Sequence, residues 1–229
     1  MLCLICARSG SKGLKNKNIL KINNKSLLQI TIELAKKIKA IKHIVLSTDS
    51  KKIAELGKRF GAEIPFLRPR FLSTDTAPEW KVWQHAVHQC EKKYIFNDVL
   101  ILPVVSPLKT KKDIDKVINM HKKNKKKCVI TVTNSSRNPY FNMVTLDKER
   151  NAKIVLKKQK KIHRRQDTPA VFDICTVAYL LNKKLITRKK SLFDCKVVAQ
   201  LIPKKRSIDI DDQIDFKIAK YLYEKKISI

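Results

Sequence analysis

The chain has 229 residues, of which 43% are hydrophobic, and this excludes a disordered chain while allowing one packed domain over residues 1–229. Its net charge of +31 comes mainly from lysines spread along the chain, without the interleaved aromatic residues of a single-strand nucleic-acid surface. We therefore expect no specific nucleic-acid partner. No apolar run is long enough to span a bilayer, so we expect no membrane association and a cytoplasmic protein.

Short apolar runs alternate with helical spacing through most of the chain. This pattern predicts an α/β fold, a mostly parallel sheet with helices on both faces, and a ligand site at the carboxyl ends of the strands. The predicted strands are 2–7, 43–47, 99–102, 128–132, 173–181 and 197–202. The predicted helices are 27–38, 50–59, 78–92, 111–123 and 212–225, the last marked by the spacing of Ile214, Ile218 and Tyr221.

Residues 137–170 interrupt this alternation. Two short strands, 141–146 and 153–156, flank a turn at 147–151, and a basic stretch follows at 163–165. The segment is too long for a plain connection and too apolar for a tail. We interpret it as an arm inserted into the domain.

The six cysteines are scattered along the chain, which does not predict a disulfide framework or a zinc site. Cys3 and Cys6 have the spacing of a C-x-x-C motif, but both lie on the first predicted strand. Side chains three residues apart on a strand point to opposite faces. We therefore expect small buried side chains.

A glycine-rich basic loop follows the first strand. Gly10 and Gly13 are half of the four glycines, and Arg8, Lys12 and Lys17 lie beside them. Glycine lets backbone N–H groups approach an anion closely, and the basic side chains add charge. The spacing matches neither Walker A nor the dinucleotide motif, so the loop predicts a nucleotide phosphate site of another kind.

One polar segment, 48–50, follows the second predicted strand, and a second polar loop, 68–77, precedes the helix predicted at 78–92. We expect Asp49 or Ser50 to cap the helix that begins near residue 50. Capping by Asp75 or Thr76 explains part of the second loop but leaves Arg68 unexplained. Residues 103–109 have prolines near both ends, which suits either a rigid wall for a base or sugar or a purely structural turn.

An acidic cluster precedes the last predicted helix. Asp209 and Asp211 lie two residues apart on extended backbone, where both carboxylates face the same side, an arrangement that suits Mg²⁺. Charge at a helix N-terminus accounts for Asp212 but less well for Asp209. A phosphate loop, an Mg²⁺ site and an α/β sheet together predict nucleotidyl transfer.

Several segments resemble the acylneuraminate (CMP-sialic acid) cytidylyltransferases, in that family's order and over essentially the whole chain. The matching segments are residues 7–14, Lys17–Asn18, 68–69, 75–77, 106–109, 165–166, Tyr179 and 209–211. The resemblance implies a nucleotide-diphospho-sugar transferase fold, a homodimer formed through the inserted arm, and CTP with Mg²⁺. The expected reaction transfers CMP to the anomeric 2-hydroxyl of a nine-carbon keto-sugar acid.

The resemblance also implies roles for individual residues. CTP would be bound by Arg8, Ser11, Lys12, Lys17, Asn18, Arg68, Asp75 and Ala77, and the metal by Asp209 and Asp211. The sugar acid would contact Ser106, Arg165, Gln166, Asp173 and Tyr179. The catalytic residues would be Arg8, Lys12 and Asp211, with either Asp211 or a metal-bound water as the base.

Some positions depart from the family pattern. Asp173 stands where sialic-acid enzymes have an arginine, and Pro103 and Lys109 replace a glutamine and an arginine. Loss of a cation beside an anionic substrate argues against N-acetylneuraminate. The sequence around Arg165 and Tyr179 is more similar to the legionaminic-acid branch, with sialic and pseudaminic acids still open. A Kdo-type acid as substrate and an RNA-binding protein are the remaining alternatives.

Overall fold

The computed structural model describes residues 1–10, 13–124, 127–156 and 164–227. Its strands are β1 (Leu2–Cys6), β2 (Lys21–Ile22), β3 (Lys25–Ser26), β4 (His43–Ser47), β5 (Asp98–Ile101), β6 (Cys128–Asn134), β7 (Val144–Leu146), β8 (Ala152–Ile154), β9 (Phe172–Ile174), β10 (Tyr179–Asn182) and β11 (Val197–Leu201). Its helices are α1 (Leu27–Lys36), α2 (Lys51–Phe60), α3 (Glu79–Glu91), α4 (Lys111–Lys123), α5 (Lys183–Arg188) and α6 (Gln213–Glu224).

The central sheet has the order β11-β6-β10-β5-β1-β4, with β9 paired to β6 outside this path. β1 is parallel to β4 and β5, and β11 is parallel to β6, whereas β10 runs antiparallel to both of its neighbours. The predicted mostly parallel α/β sheet is therefore confirmed. Within the described ranges, no helix combines the length and apolarity needed to cross a membrane.

Helices cover both faces of this sheet, as the sequence predicts. Cys3 and Ile5 of β1 pack into one core cluster with side chains of α1, α2, α4 and α6. Leu2 and Leu4 point the other way, into a second cluster with α3 and α5. Cys6 packs against that second cluster, so the expectation that Cys3 and Cys6 face opposite sides is confirmed. All six cysteines are free thiols.

The predicted strand at 173–181 is wrong, because the structure divides it into β9 and β10. The backbone between them folds around Thr131, whose hydroxyl lies 2.7 Å from the carbonyl oxygen of Cys175 and 3.1 Å from the amide of Ala178. Cys175 also donates its own N–H to the Thr131 carbonyl at 3.0 Å. The buried Thr131 hydroxyl thus provides hydrogen-bond partners for backbone groups that a continuous strand would have paired within the sheet.

The last helix forms where the sequence predicts it, but it packs through a different face. Ile214, Ile218 and Tyr221 remain exposed. Ala219 is buried in the first core cluster, and Phe216, Leu222 and Tyr223 pack against the same cluster. The three spaced residues therefore indicated a helix without identifying the side that faces the core.

The ion pair of Asp113 and Arg206 ties α4 to the segment that precedes α6. The Arg206 Nε atom lies 2.8 Å from Asp113 Oδ2, and the side chains are 13% and 1% exposed. Burial alone would raise the pKa of Asp113, but the hydrogen bonds from Arg206 and Thr110 outweigh it and hold the pKa below its ordinary value. Asp113 also completes the capping box of α4 with Thr110.

We predict that Asp113→Asn lowers the free energy of unfolding by about 3 kcal/mol, because it removes the buried carboxylate charge with which Arg206 pairs. A group whose pKa is lowered on folding stabilises the fold above its unfolded pKa and loses that contribution as the pH falls. The stability difference from the unmutated protein should therefore narrow below about pH 4. Urea unfolding over a pH series measures both effects.

Asp115→Asn, which breaks an exposed i,i+4 pair with Lys111, is the control and should cost about 0.5 kcal/mol or less. Equal effects of the two substitutions would contradict the assignment.

Candidate nucleotide site

Asp49 and Asn18 hold the loop that follows β1. The Ser9 backbone N–H donates to Asp49 Oδ1 at 2.9 Å, and the Ser9 hydroxyl donates to Oδ2 at 2.6 Å. Desolvation would raise the pKa of Asp49, but the hydrogen bonds from Ser9 outweigh it and lower the pKa. The buried Asn18 amide donates to the Arg8 carbonyl at 2.9 Å. Ser50 caps α2, as predicted, which leaves Asp49 for the loop.

Gly13 lies directly against the backbone of Asp211. A Cβ atom on Gly13 would overlap the Asp211 carbonyl oxygen and come within 3.3 Å of its carbonyl carbon. Lys17 reaches the same segment, and its Nζ atom lies 3.1 Å from Asp211 Oδ1. Two segments almost 200 residues apart in sequence therefore meet, and only glycine at position 13 allows them to approach so closely. At Gly10, by contrast, the space for a Cβ atom is open.

The segment between α2 and α3 forms a further side of the site. Arg68 is 6% exposed, and its guanidinium donates to the Ser47 hydroxyl at 3.0 Å and to the Ser47 carbonyl at 2.5 Å. Asp75 forms an ion pair with Arg8 at 2.5 Å. The expectation that Asp75 or Thr76 caps the next helix is wrong, since Pro78 occupies the N-cap of α3 and makes no side-chain cap.

These segments enclose a cleft of about 560 Å³ at the carboxyl ends of β1, β4 and β5. The residues predicted from sequence that line it are Arg8, Lys17, Asn18, Arg68, Asp75, Ala77 and Asp211. Sequence reasoning missed the lining residues Cys6, Leu72, Thr74, Glu79 and Val82. Val105 also lines the cleft and belongs to the proline-flanked turn at 103–109, so that turn does contribute a wall. Glu79 is in the first turn of α3, directly after a predicted site loop. That position in the sequence could have identified Glu79 as a lining residue.

Asp209 has different surroundings from Asp211. Its carboxylate accepts hydrogen bonds from the hydroxyls of Ser106 and Thr176, and from the Thr176 backbone N–H at 3.3 Å. Ser106 is fully buried. The Asp211 side chain is 81% exposed and lines the cleft. The structure therefore places Ser106 beside Asp209, not on the cleft surface where a sugar contact was expected.

The other predicted sugar residues are dispersed. Tyr179 is 6% exposed, and its ring packs in the core at 5.2 Å from the Trp83 ring. Asp173 lies exposed on β9, paired with Thr133 of β6. Gln166 lines a second cleft of about 450 Å³, walled mainly by uncharged polar groups and the chain from Thr168 to Val171. The described side chains thus do not form one sugar pocket in a single copy of the chain.

The side chains of three predicted site residues are not described. Ser11 and Lys12 are outside the described residues. Arg165 belongs to a 3₁₀ turn, Arg165–Asp167, but its side chain is outside the description. Their assignments stay predictions.

The cleft offers oxygen ligands of the type that Mg²⁺ prefers. The exposed Asp211 carboxylate fits an ion that keeps most of its ligands as waters and phosphate oxygens. Asp209 fits only if Ser106 and Thr176 release its oxygens. Among the residues of the described ranges, no three His, Cys, Asp or Glu side chains cluster as a preformed metal site.

The fold is that of nucleotidyltransferases. A solved structure of CMP:2-keto-3-deoxy-manno-octonic acid synthetase complexed with CTP matches with a TM-score of 0.74 and 13% identity, covering 98% of each chain. At that identity the similarity is one of fold.

The chain belongs to the cytidylyltransferase family, whose family model matches residues 2–228. It is therefore a nucleotidyltransferase, and the expected fold and enzyme class are confirmed. It is 35% identical to the CMP-N,N'-diacetyllegionaminic acid synthase of Campylobacter jejuni, over 99% of this chain and 96% of the relative. It is 29% identical to the N-acylneuraminate cytidylyltransferase of Escherichia coli O18:K1:H7, over 99% of this chain and 52% of that protein.

We predict that Gly13→Ala lowers the free energy of unfolding by about 1–3 kcal/mol, because the new Cβ atom forces the loop away from Asp211. Gly10→Ala is the matched control, since the space there is open, and it should change stability by about 0.5 kcal/mol or less. Urea denaturation of the two variants measures the difference. Equal stability would show that the two segments are not in contact.

Proposed function

We propose that the protein transfers CMP from CTP to the anomeric 2-hydroxyl of a nonulosonic acid of the legionaminic type, in the cytoplasm. The observation that carries the proposal is the cleft where Lys17 of the first loop meets Asp211. Buried Arg68 and the polar loop that contains Asp75 line the same cleft. Family membership gives the reaction class. The side chains that line the cleft would contact the triphosphate, the ribose and the base.

The basic side chains of the cleft would hold the triphosphate. Arg8 and Lys17 each pair with a carboxylate on the same surface, Asp75 and Asp211 respectively. An incoming triphosphate competes for both cations, and its higher charge favours the exchange. Lys12 and Ser11, from the same loop, would add further donors. The positive charge offsets the charge that builds on the phosphate oxygens as the sugar oxygen attacks the α-phosphorus and pyrophosphate leaves.

The remaining residues would orient the two ends of the nucleotide. Asn18 is fixed by its bond to the Arg8 carbonyl and would face the ribose. Arg68 and Ala77 border the part of the cleft that suits the base. Asp211 would hold Mg²⁺, with Asp209 joining on release from its hydroxyl partners, and the ion supplies charge neutralisation between the phosphates. The proton of the sugar hydroxyl leaves to Asp211 or to solvent.

A legionaminic-type acid is the favoured acceptor for two reasons. The legionaminic relative has 35% identity and the sialic-acid relative has 29%. In addition, Asp173 is an exposed anion on β9, at a position where a cation would suit a sialic acid. The polar, largely uncharged cleft around Gln166 would take the acylamino groups, with Arg165 nearby for the carboxylate.

We predict that, with CTP and Mg²⁺, the purified protein releases pyrophosphate fastest with a legionaminic acid in a panel that includes sialic, pseudaminic and Kdo-type acids. Asp211→Asn should lower turnover by about 10²-fold or more, as expected for loss of a positioned charge at the reacting phosphate. Asp115→Asn on the surface should leave turnover unchanged. Coupled pyrophosphate detection measures all of these rates. Faster turnover with another acid would reassign the substrate, and no turnover with any acid would refute the proposed function.

The net charge of +31 raises one alternative role beside the transferase activity, which is RNA binding. A protein with that role would bind polynucleotides with steep salt dependence. The same preparation distinguishes the two functions. RNA binding that disappears between about 50 and 200 mM salt, together with pyrophosphate release, leaves the transferase as the function.

We also propose that two copies associate through the inserted arm at 137–170. Its hairpin of β7 and β8 leaves Phe141, Met143, Val144 and Leu146 exposed, and apolar patches of this kind mark interfaces. We predict a dimer by sedimentation velocity at micromolar concentration. Val144→Lys with Leu146→Lys should yield monomers with an unchanged circular dichroism spectrum. A dimer that survives both substitutions would place the interface elsewhere.

A further inference from the structure

Lys109 is a buried lysine next to the candidate site. Its side chain is 6% exposed, although lysine is among the residues least often buried. Desolvation lowers the pKa of Lys109 to about 7, against the opposing effect of the Asp209 charge. Burial of an ammonium group has a high free-energy cost. Such a residue usually has a specific set of hydrogen bonds, and here they are to the backbone.

The Lys109 ammonium joins the two ends of a turn. It donates to the carbonyl oxygen of Pro103 at 2.6 Å and to that of Ser106 at 2.7 Å. Proline has no backbone N–H, so neither Pro103 nor Pro107 can donate a hydrogen bond within this turn. The lysine therefore supplies donors that the backbone itself lacks.

The turn at 103–106 also holds the acidic segment at 209–211. The Val105 carbonyl accepts the N–H of the buried Ile210 at 3.0 Å, and the Ser106 hydroxyl donates to Asp209. Val105 and Asp211 both line the nucleotide cleft. Lys109 is thus hydrogen-bonded to the turn, and the turn is hydrogen-bonded to Asp209 and Ile210, the residues that directly precede Asp211.

We propose that Lys109 is a positioning residue for nucleotidyl transfer. Its ammonium group clamps the turn at 103–106, and the turn fixes the segment at 209–211 against the first loop. The effect on turnover rests on the proposed function, whereas the effect on the segment does not. Lys109 touches neither nucleotide nor metal in this assignment and acts through Val105 and Ser106.

A role in folding alone predicts a different response to substitution. Replacing a buried charge by an apolar side chain of similar size is often neutral or stabilising. Lys109→Met should therefore retain the fold and lose the clamp, which separates stability from positioning. Lys109→Arg keeps a cation with several donors and should restore the clamp. Lys112, exposed near the start of α4, provides the matched control Lys112→Met.

The first measurement is amide hydrogen exchange at Ile210, resolved by NMR in the full-length protein without nucleotide. We expect Lys109→Met to speed exchange at Ile210 about tenfold or more, equivalent to about 1.4 kcal/mol of lost protection. The amide of Leu46 on β4 donates to the Glu63 carbonyl and has no bond to the turn or to the acidic segment, so its exchange should not change. Lys109→Arg should stay within about threefold of the unmutated protein, and Lys112→Met should match it.

The second measurement is steady-state kinetics with CTP and the preferred sugar acid. Displacing Asp211 by about 1 Å should lower kcat on the order of 10²-fold, while KM for CTP changes little because the base and ribose contacts are on other segments. Lys109→Arg should recover most of kcat.

Unchanged exchange at Ile210 in a folded Lys109→Met variant overturns the proposal, and so does unchanged kcat in an active enzyme. If the unmutated protein turns over no acid, the proposed function is refuted. Amide exchange at Ile210 still tests whether Lys109 holds the turn and the acidic segment in place. If Lys109→Met does not fold, Lys109→Gln, which can donate to one carbonyl, undergoes the same exchange measurement. Wild-type protection at Ile210 in that variant overturns the proposal.

Discussion

The contact between Gly13 and the Asp211 backbone is the constraint on which the candidate site depends. It joins the loop after the first strand to the segment before the last helix, with no room for a side chain between them. The same approach brings Lys17 within 3.1 Å of the Asp211 carboxylate. Fixing the loop also fixes the positions of Arg8 and Asn18, which are hydrogen-bonded to each other. The turn at 103–106 holds the acidic segment through hydrogen bonds to Asp209 and Ile210. Removing this contact would separate the cations of the cleft from its acid.

Opposite charges share the cleft surface in a balanced arrangement. Arg8 pairs with Asp75 and Lys17 pairs with Asp211, although the chain as a whole is strongly basic. A cleft of cations alone would bind any polyanion, whereas ligands here must compete with the paired carboxylates. Ligands that bring a metal ion satisfy cation and carboxylate together, which favours a metal-bound triphosphate over a simple anion. The distributed lysines elsewhere would act only at long range, by raising the local concentration of anions.

The sequence predicted those parts of the fold and site that local chemistry determines. Apolar runs located the strands, Ser50 and Asp212 occupy N-caps that their types favour, and the resemblance identified seven residues that line one cleft. The division of 173–181 depends on the Thr131 hydroxyl of another strand, which no local pattern reveals. The separate environments of Asp209 and Asp211 depend on Ser106 and Thr176, both far away in sequence. Tyr179 was expected to contact the sugar acid, but its ring packs against Trp83. The sequence could not distinguish these positions, because an aromatic residue on a central strand suits either a core or a binding surface.

A crystal structure of the protein with CTP and Mg²⁺ would show where the nucleotide binds. We expect the triphosphate between Lys17 and Asp211, with the cytosine bordered by Arg68 and Ala77 and with Gly13 still in contact with the Asp211 carbonyl. A nucleotide bound away from this cleft, or a first loop separated from the acidic segment, would contradict this expectation.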